Sequence, residues 1–261
     1  MLRKLAEMTI LVLSFCFSIV LRLIEPSSRG FYCNDTTIRY PYTHNTVSST
    51  GLFLVTIVFD SAVVAAVEYY FFRRDTAPDR RSYWSTIYDM LMCYLFGYAC
   101  CLALTSATKV TVGRLRPHFL AVCKPDWSKI KCKNLTYVEP DVIHCAALDA
   151  KAVRQARMSF PSGHALISFY AATFLVLYVN LKTEEFKSLT TLLMKYGAQF
   201  TLITAASCVS LSRITDNAHH WSDVLVGTIA GVLVATTFVR TMLPILSPRK
   251  VMDQEKTANS A

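Results

Sequence analysis

Six apolar blocks decide what this chain can fold into. Residues 5–24, 51–72, 88–108, 165–181, 192–211 and 224–243 are runs of about 17 to 22 residues with few charges, and a helix rising 1.5 Å per residue needs about 20 to cross the hydrocarbon of a bilayer. Backbone groups inside lipid must find their hydrogen-bond partners within the segment, so runs of this length read as helices rather than strands. The 261 residues are 53% hydrophobic with a mean hydropathy of +0.35, too apolar for an ordinary soluble domain of that size. The expectation is an all-α fold: one membrane-embedded domain over 1–261, built as a bundle of six transmembrane helices. Block 165–181 is the shortest and also suits a buried core helix. The first block ends in LRLIEPSS with no small-x-small cleavage site, so it reads as a retained helix rather than a signal peptide.

Orientation follows from the basic residues. Arg3 and Lys4, the segment RRDTAPDRR at 73–81, Lys182 and Lys187, and Arg249 and Lys250 in the tail place both termini and the even-numbered loops in the cytosol. The long loop 109–164 then lies outside, although it carries ten Lys or Arg; long loops follow the charge rule poorly. That excess contributes to the net charge of +9. On an outer face it argues for a local anion rather than for nucleic acid, which is not expected as a partner.

Nine cysteines divide by this topology. Cys16, Cys93, Cys100, Cys101 and Cys208 fall in apolar blocks and read as small hydrophobes. Cys33, Cys123, Cys132 and Cys145 fall in the two outer loops, where two disulfides can form with three connectivities open. Two glycosylation sequons, at Asn34 and Asn134, sit in the same loops. Residues 120–157 show no ligand spacing, and the tail 247–261 reads as disordered.

Inside the second block Asp60 and Glu68 stand out, because an intramembrane carboxylate needs a partner. Arg73 and Arg74 are the candidates for Glu68; for Asp60 a polar contact within the bundle is favoured over catalysis. Gly227 and Gly231 form a GxxxG pattern that suits close packing within the bundle or self-association into a homo-oligomer.

Three short stretches carry chemistry. In KVTVGRLRPHF (109–119), Lys109 and Arg116 lie seven apart, two helical turns, and Pro117 turns the chain away from helix. In SFPSGHA (159–165), Pro161 and Ser162 suit a helix start, and Gly163 lets a ligand approach the exposed N–H groups, with His164 at the mouth. In SRITDNAHHWSD (212–223), Arg213 precedes His219, and Asp223 lies four residues on, placed to polarise that imidazole. His220 is read as a bystander. With six spans all three stretches reach one membrane face, gathering three cations, a helix start and two histidines. Without a carboxylate cluster for magnesium, such a site neutralises a phosphoryl group with side chains alone. A neutral imidazole with an acid behind it makes His219 the nucleophile and Asp223 its orienting partner, leaving His164 to protonate the leaving alkoxide and then to activate water.

K-x6-R-P at Lys109, Arg116 and Pro117, P-S-G-H at Pro161 to His164, and S-R-x5-H-x3-D at Ser212, Arg213, His219 and Asp223 match the three signatures of the type 2 phosphatidic acid phosphatase superfamily. The finer text, GRLRPHFLAVCKPDW and LSRITDNAHHWSDVLVG with RGFYCND and YPY near the start, resembles the animal lipid phosphate phosphatases. The resemblance spans roughly Glu25 to Val239. It implies a helical core related to that of vanadium haloperoxidases, and hydrolysis of phosphatidate, lysophosphatidate, sphingosine 1-phosphate and ceramide 1-phosphate through a phosphohistidine. It further implies no metal cofactor, vanadate as a phosphate-mimicking inhibitor, and a plasma-membrane location with the site facing the extracellular or lumenal side. Phosphate oxygens would be held by Lys109, Arg116, Ser162, Gly163 and Arg213. A non-catalytic lipid-phosphate binder and a headgroup transferase are the alternatives; the intact His164, His219 and Asp223 argue against the first, and Lys109, Arg116 and the P-S-G-H text favour hydrolysis over the second.

Overall fold

The computed structural model describes residues 2–74, 80–133 and 135–246. Six long helices run through it: α1 (Leu2–Leu23), α2 (Ser49–Arg74), α3 (Arg80–Val112) and, after the short α4 (Phe119–Cys123) and α5 (Ala150–Ala156), α6 (Gly163–Lys182), α7 (Leu189–Thr215) and α8 (Trp221–Leu246). All but α1, which stops one residue short of the end of its block, extend past both ends of their apolar blocks, because capping and polar end residues continue the helix past the lipid-compatible stretch. Five of the six are long and apolar enough to cross a membrane; α7 is not among them. Lys195, Gln199 and a series of Thr and Ser residues lower its hydropathy, and Gln199 is satisfied by donating to Asn180 Oδ1 of α6 at 2.9 Å. Its outer face still presents Leu193, Met194, Phe200 and Leu211, as α1, α2 and α8 present theirs.

Helix α6 is the hub, packing on α2, α3, α7 and α8. Its Leu166, Tyr170, Phe174 and Tyr178 are fully buried with Tyr94 and Tyr98 of α3. These rings meet edge-on or offset, as Tyr94 does with Phe174 at 5.0 Å between centroids. Against α6, α8 comes so close that a Cβ on Gly227 would stand 2.5 Å from the Ser162 carbonyl, and one on Gly231 2.3 Å from that of Leu166. The GxxxG face is therefore used inside the bundle, where it locks the start of α8 to the start of α6.

Two carboxylates of α2 are buried. Glu68 pairs with Lys182 of α6 at 2.6 Å and accepts from the Tyr178 hydroxyl at 2.7 Å, in place of the sequence-local Arg73 or Arg74. A partner 114 residues away wins because α6 lies beside α2 in the bundle. Asp60 is also buried, and its Oδ2 has no hydrogen-bond partner among the described residues. Among the free cysteines, Cys93 and Cys101 are buried as expected for small hydrophobes, whereas Cys16 and Cys208 lie on exposed helix faces.

At the end of the bundle where α3 stops and α6 and α8 begin, the loops fold into a cap with its own apolar cluster, including Phe31, Ile38, Leu115, Phe119, Ile130 and Val138. This cap holds the little strand structure described: β1 (Phe31–Tyr32) pairs antiparallel with β2 (Tyr137–Val138), and a 3-10 turn follows at Pro140–Val142. Two disulfides, Cys33–Cys132 and Cys123–Cys145, tie it together. Asn34 is exposed beside the first; Asn134 and the tail 247–261 lie outside the described residues.

Candidate active site

The cap end gathers all three motif stretches. Helix α3 ends at Val112, and Gly113 adopts a left-handed φ of +58° with the Ser27 carbonyl pressed against it, where a Cβ would come within 1.9 Å. The chain beyond is not helical, so the two-turn spacing of Lys109 and Arg116 is not what aligns them. Arg116 is placed by its N–H donating to the Ala156 carbonyl at 2.8 Å, and it reaches the field of Arg213 and Asp223 from the loop.

Ser162 caps α6, its hydroxyl accepting from the Ala165 N–H at 3.4 Å. The N–H groups of Gly163 and His164 open the helix, where the macrodipole favours an anion. Lys109 Nζ stands at the helix start, 3.8 Å from where a Cβ on Gly163 would lie. His164 Nε2 lies 3.1 Å from the Val47 carbonyl. Since a carbonyl only accepts, the proton sits on Nε2 and Nδ1 keeps the lone pair.

Asp223 is completely buried in the first turn of α8. One oxygen, Oδ1, accepts from Arg114 Nη1 at 2.5 Å. The other, Oδ2, accepts from the Ser159 hydroxyl at 2.6 Å and from the His220 backbone N–H at 3.0 Å. His220 Nδ1 stands 3.3 Å from Oδ2 and His219 Nδ1 3.7 Å. The longer distance is beyond a hydrogen bond, and His219 Nδ1 has no hydrogen-bond partner among the described residues. His220 is thus no bystander: α8 starts only at Trp221, so the helical rotation that would turn it away does not apply, and both imidazoles face one carboxylate. With Nδ1 toward Asp223, Nε2 is the ring nitrogen of His219 left for another partner. Burial, reinforced by the charges of Arg116 and Lys109 and opposed by Asp223, lowers its pKa to about 3, so the imidazole is a neutral base at physiological pH.

Arg213 is buried and already engaged. Its guanidinium pairs with Asp216 and donates to Asn45 Oδ1 at 3.1 Å. Burial raises the Asp216 carboxyl, but two hydrogen bonds from Thr46 and the charge of Arg213 outweigh it and hold the group below its ordinary value. Arg116 keeps its charge although burial, then the repulsion of Arg213, lowers its pKa to about 10. Its Nε is without a hydrogen-bond partner among the described residues.

The structure therefore brings together all eight sequence-picked residues: Lys109, Arg116, Ser162, Gly163, His164, Arg213, His219 and Asp223. Arg114, Ser159, Asp216, Asn45 and Thr46 complete the arrangement and were not singled out in the sequence. Arg114 had a local signal, lying two residues before Arg116 in GRLRP; Asn45 and Thr46 had none, being some 170 residues from the groups they hold. Asp223 is matched by Arg114 and Asp216 by Arg213, so Arg116 is left as an unmatched cation, with the Lys109 amine near it, beside a neutral, buried imidazole.

The comparisons with known proteins agree with one another. The PAP2 superfamily signature matches residues 90–245. Phospholipid phosphatase 2 of Rattus norvegicus is 40% identical over 229 residues, covering 87% of this chain and 80% of that protein; its Homo sapiens counterpart is 40% identical, covering 88% and 78%. Phospholipid phosphatase 1 of Rattus norvegicus is 38% identical, covering 88% and 80%. No solved structure matches the chain. On the shared signature and the identity over most of its length, the chain belongs to the PAP2 superfamily, within the animal phospholipid phosphatases, and is a multi-pass membrane phosphatase.

Proposed function

We propose that the protein hydrolyses lipid phosphate monoesters, of the class of phosphatidate, lysophosphatidate, sphingosine 1-phosphate and ceramide 1-phosphate, without a metal ion and through a phosphohistidine. The observation that carries this reading is the charge balance of the site: Lys109 and Arg116 remain after the carboxylates are matched, an excess suited to the dianion of a phosphate monoester. A phosphodiester carries one charge less and fits that excess less well.

Lys109, Arg116, Arg213, the Ser162 hydroxyl and the Gly163 N–H hold the phosphate oxygens. His219 Nε2 attacks phosphorus, and the bond from phosphorus to the lipid oxygen breaks. His164 takes up a proton at its free Nδ1 as the phosphate dianion binds beside it and delivers that proton to the leaving oxygen, so the lipid leaves as a neutral alcohol. Asp223 steadies the positive charge that develops on His219 as the phosphorus–nitrogen bond forms. His164, now a base, deprotonates a water that attacks the phosphohistidine and releases inorganic phosphate. All six long helices cross the membrane in this reading, α7 included, supported by its apolar outer face. Both termini are cytosolic, and the capped end with its disulfides faces the extracellular or lumenal side, where such bonds persist; the plasma membrane is the proposed site of action.

The test is phosphate release from the four lipids by detergent-purified protein in excess chelator. Wild type should remain active, and His219→Ala and His164→Ala should each lose ~10⁴-fold or more. Loss of activity in chelator that magnesium restores, or turnover by His219→Ala, would overturn the reading.

A further inference from the structure

One cation at the cap end is spent on a carboxylate of the site. Arg114 donates through Nη1 to two acceptors: Asp223 Oδ1 at 2.5 Å and the Ser222 hydroxyl at 2.8 Å. Its own carbonyl accepts from the Ser159 N–H at 2.9 Å, and the Ser159 hydroxyl takes the other carboxylate oxygen at 2.6 Å. The start of α8 is fastened to the same segment by the Ser162 N–H, which donates to the Asp223 carbonyl at 3.0 Å. A carboxylate with no solvent contact is thus gripped on one oxygen by a guanidinium and on the other by a buried hydroxyl. Such a double grip fixes the plane of the group and not merely its charge.

The plane matters because two imidazoles compete for Oδ2. His220 Nδ1 is nearer, at 3.3 Å, and His219 Nδ1 farther, at 3.7 Å. A rotation of the carboxylate about its own bond would hand Oδ2 to His220 and leave the nucleophile without an orienting acid. We propose that Arg114, with Ser159, is a positioning residue that locks the Asp223 carboxylate so that Oδ2 stays in reach of His219, and closes onto it in the reacting complex. Contacts of this kind are commonly long before substrate binds. The proposal rests on the assignment of His219 as nucleophile; it adds a group that touches neither phosphate nor reacting atoms.

The experiment is steady-state kinetics of purified Arg114→Gln, Arg114→Lys and Ser159→Ala, together with Arg114→Ala with and without added guanidinium ion. Thermal midpoints are measured for each, and His219→Ala is run alongside. Arg114→Gln should lower kcat ~100-fold, the scale of a misplaced catalytic group, with KM within about twofold. Arg114→Lys restores the charge without the planar fork and should recover part of the loss. Ser159→Ala should lose roughly tenfold. The Arg114 side chain is 33% exposed, so free guanidinium can reach the gap in Arg114→Ala and should raise its kcat, a response that a purely structural role does not give. The proposal falls if Arg114→Gln keeps wild-type kcat, if the loss lies in KM, which would make Arg114 a phosphate ligand, or if folded Arg114→Ala ignores guanidinium. Should Arg114→Gln and Arg114→Ala fail to fold, Ser159→Ala and Arg114→Lys decide: wild-type kcat in both overturns the lock. An active His219→Ala would remove the nucleophile assignment itself; an inactive His219→Ala beside a fully active Arg114→Gln removes only the role of Arg114.

Discussion

At one end of the bundle Lys182 and Glu68 close on each other at 2.6 Å, with the Tyr178 hydroxyl on the same carboxylate oxygen. At the other end, roughly 27 Å away along α6, Arg114 pairs with Asp223 and Arg213 with Asp216, and Lys109 and Arg116 have no ion-pair partner among the described residues. Both clusters bury charge, and both are joined by residues far apart in the chain. They differ in closure. The Glu68 cluster is neutral as a whole and satisfied within the protein, as a buried pair must be if it is to persist. The capped cluster carries a net positive charge, and Arg116 Nε and His219 Nδ1 are without hydrogen-bond partners among the described residues. A balanced cluster is complete as folded; an unbalanced one is built for an anion that arrives later.

The contrast breaks most sharply on Arg116. Arg116→Ala should lower kcat/KM by ~10²–10³-fold, the usual cost of removing one donor to developing charge, while the thermal midpoint in detergent stays near wild type, since no carboxylate is orphaned. Equal activity in Arg116→Ala would mean that the excess charge is incidental. The reverse pattern is expected of Glu68→Gln, which strands the Lys182 ammonium: stability should fall by about 3 kcal/mol, read by thermal unfolding, with turnover per folded molecule unchanged. A large loss of turnover there would erase the distinction between the two ends.

A smaller effect sharpens it through pH. His118, buried beside the site, has its pKa lowered to about 4 by burial first and by the charge of Arg116 second; His219 is lowered to about 3. In the unfolded chain each takes up a proton near pH 6.5, and in the folded protein neither does until far lower pH. Each residue should therefore cost about 1.4 kcal/mol of stability per pH unit as pH falls from 6.5, down to about 4 for His118. His118→Gln should shallow the acid slope of the unfolding midpoint between pH 6 and about 4, without moving activity at neutral pH by more than about twofold. An unchanged slope would mean that His118 is protonated in the folded protein.

What could be read from the sequence was what lies close along the chain. Apolar runs of membrane length gave the helices, and Pro161, Ser162 and Gly163 marked the start of α6 because a cap is a local device. His219 and Asp223 were legible as a pair from spacing, although the chain there is not yet helical and their contact is looser than a helix turn would make it. The partners chosen by packing were not legible. Glu68 takes Lys182 in place of Arg73 or Arg74, Arg213 is held by Asn45 across 168 residues, and His164 faces the carbonyl of Val47. Helix α7 shows the limit from the other side: its polar residues put it outside the hydropathy range of its neighbours, yet one of them, Gln199, is answered by Asn180 on α6.

The central claim is that the positive charge at the capped end serves to bring a phosphoryl group onto His219. It is tested most directly by stopping turnover of a phosphorus-labelled lipid phosphate monoester at alkaline pH, which preserves a phosphohistidine, and mapping the label by mass. The account predicts label on His219 in wild type, and none on the protein in His219→Ala. Label on His164, on His220 or on any other residue, or phosphate release by His219→Ala, would contradict it.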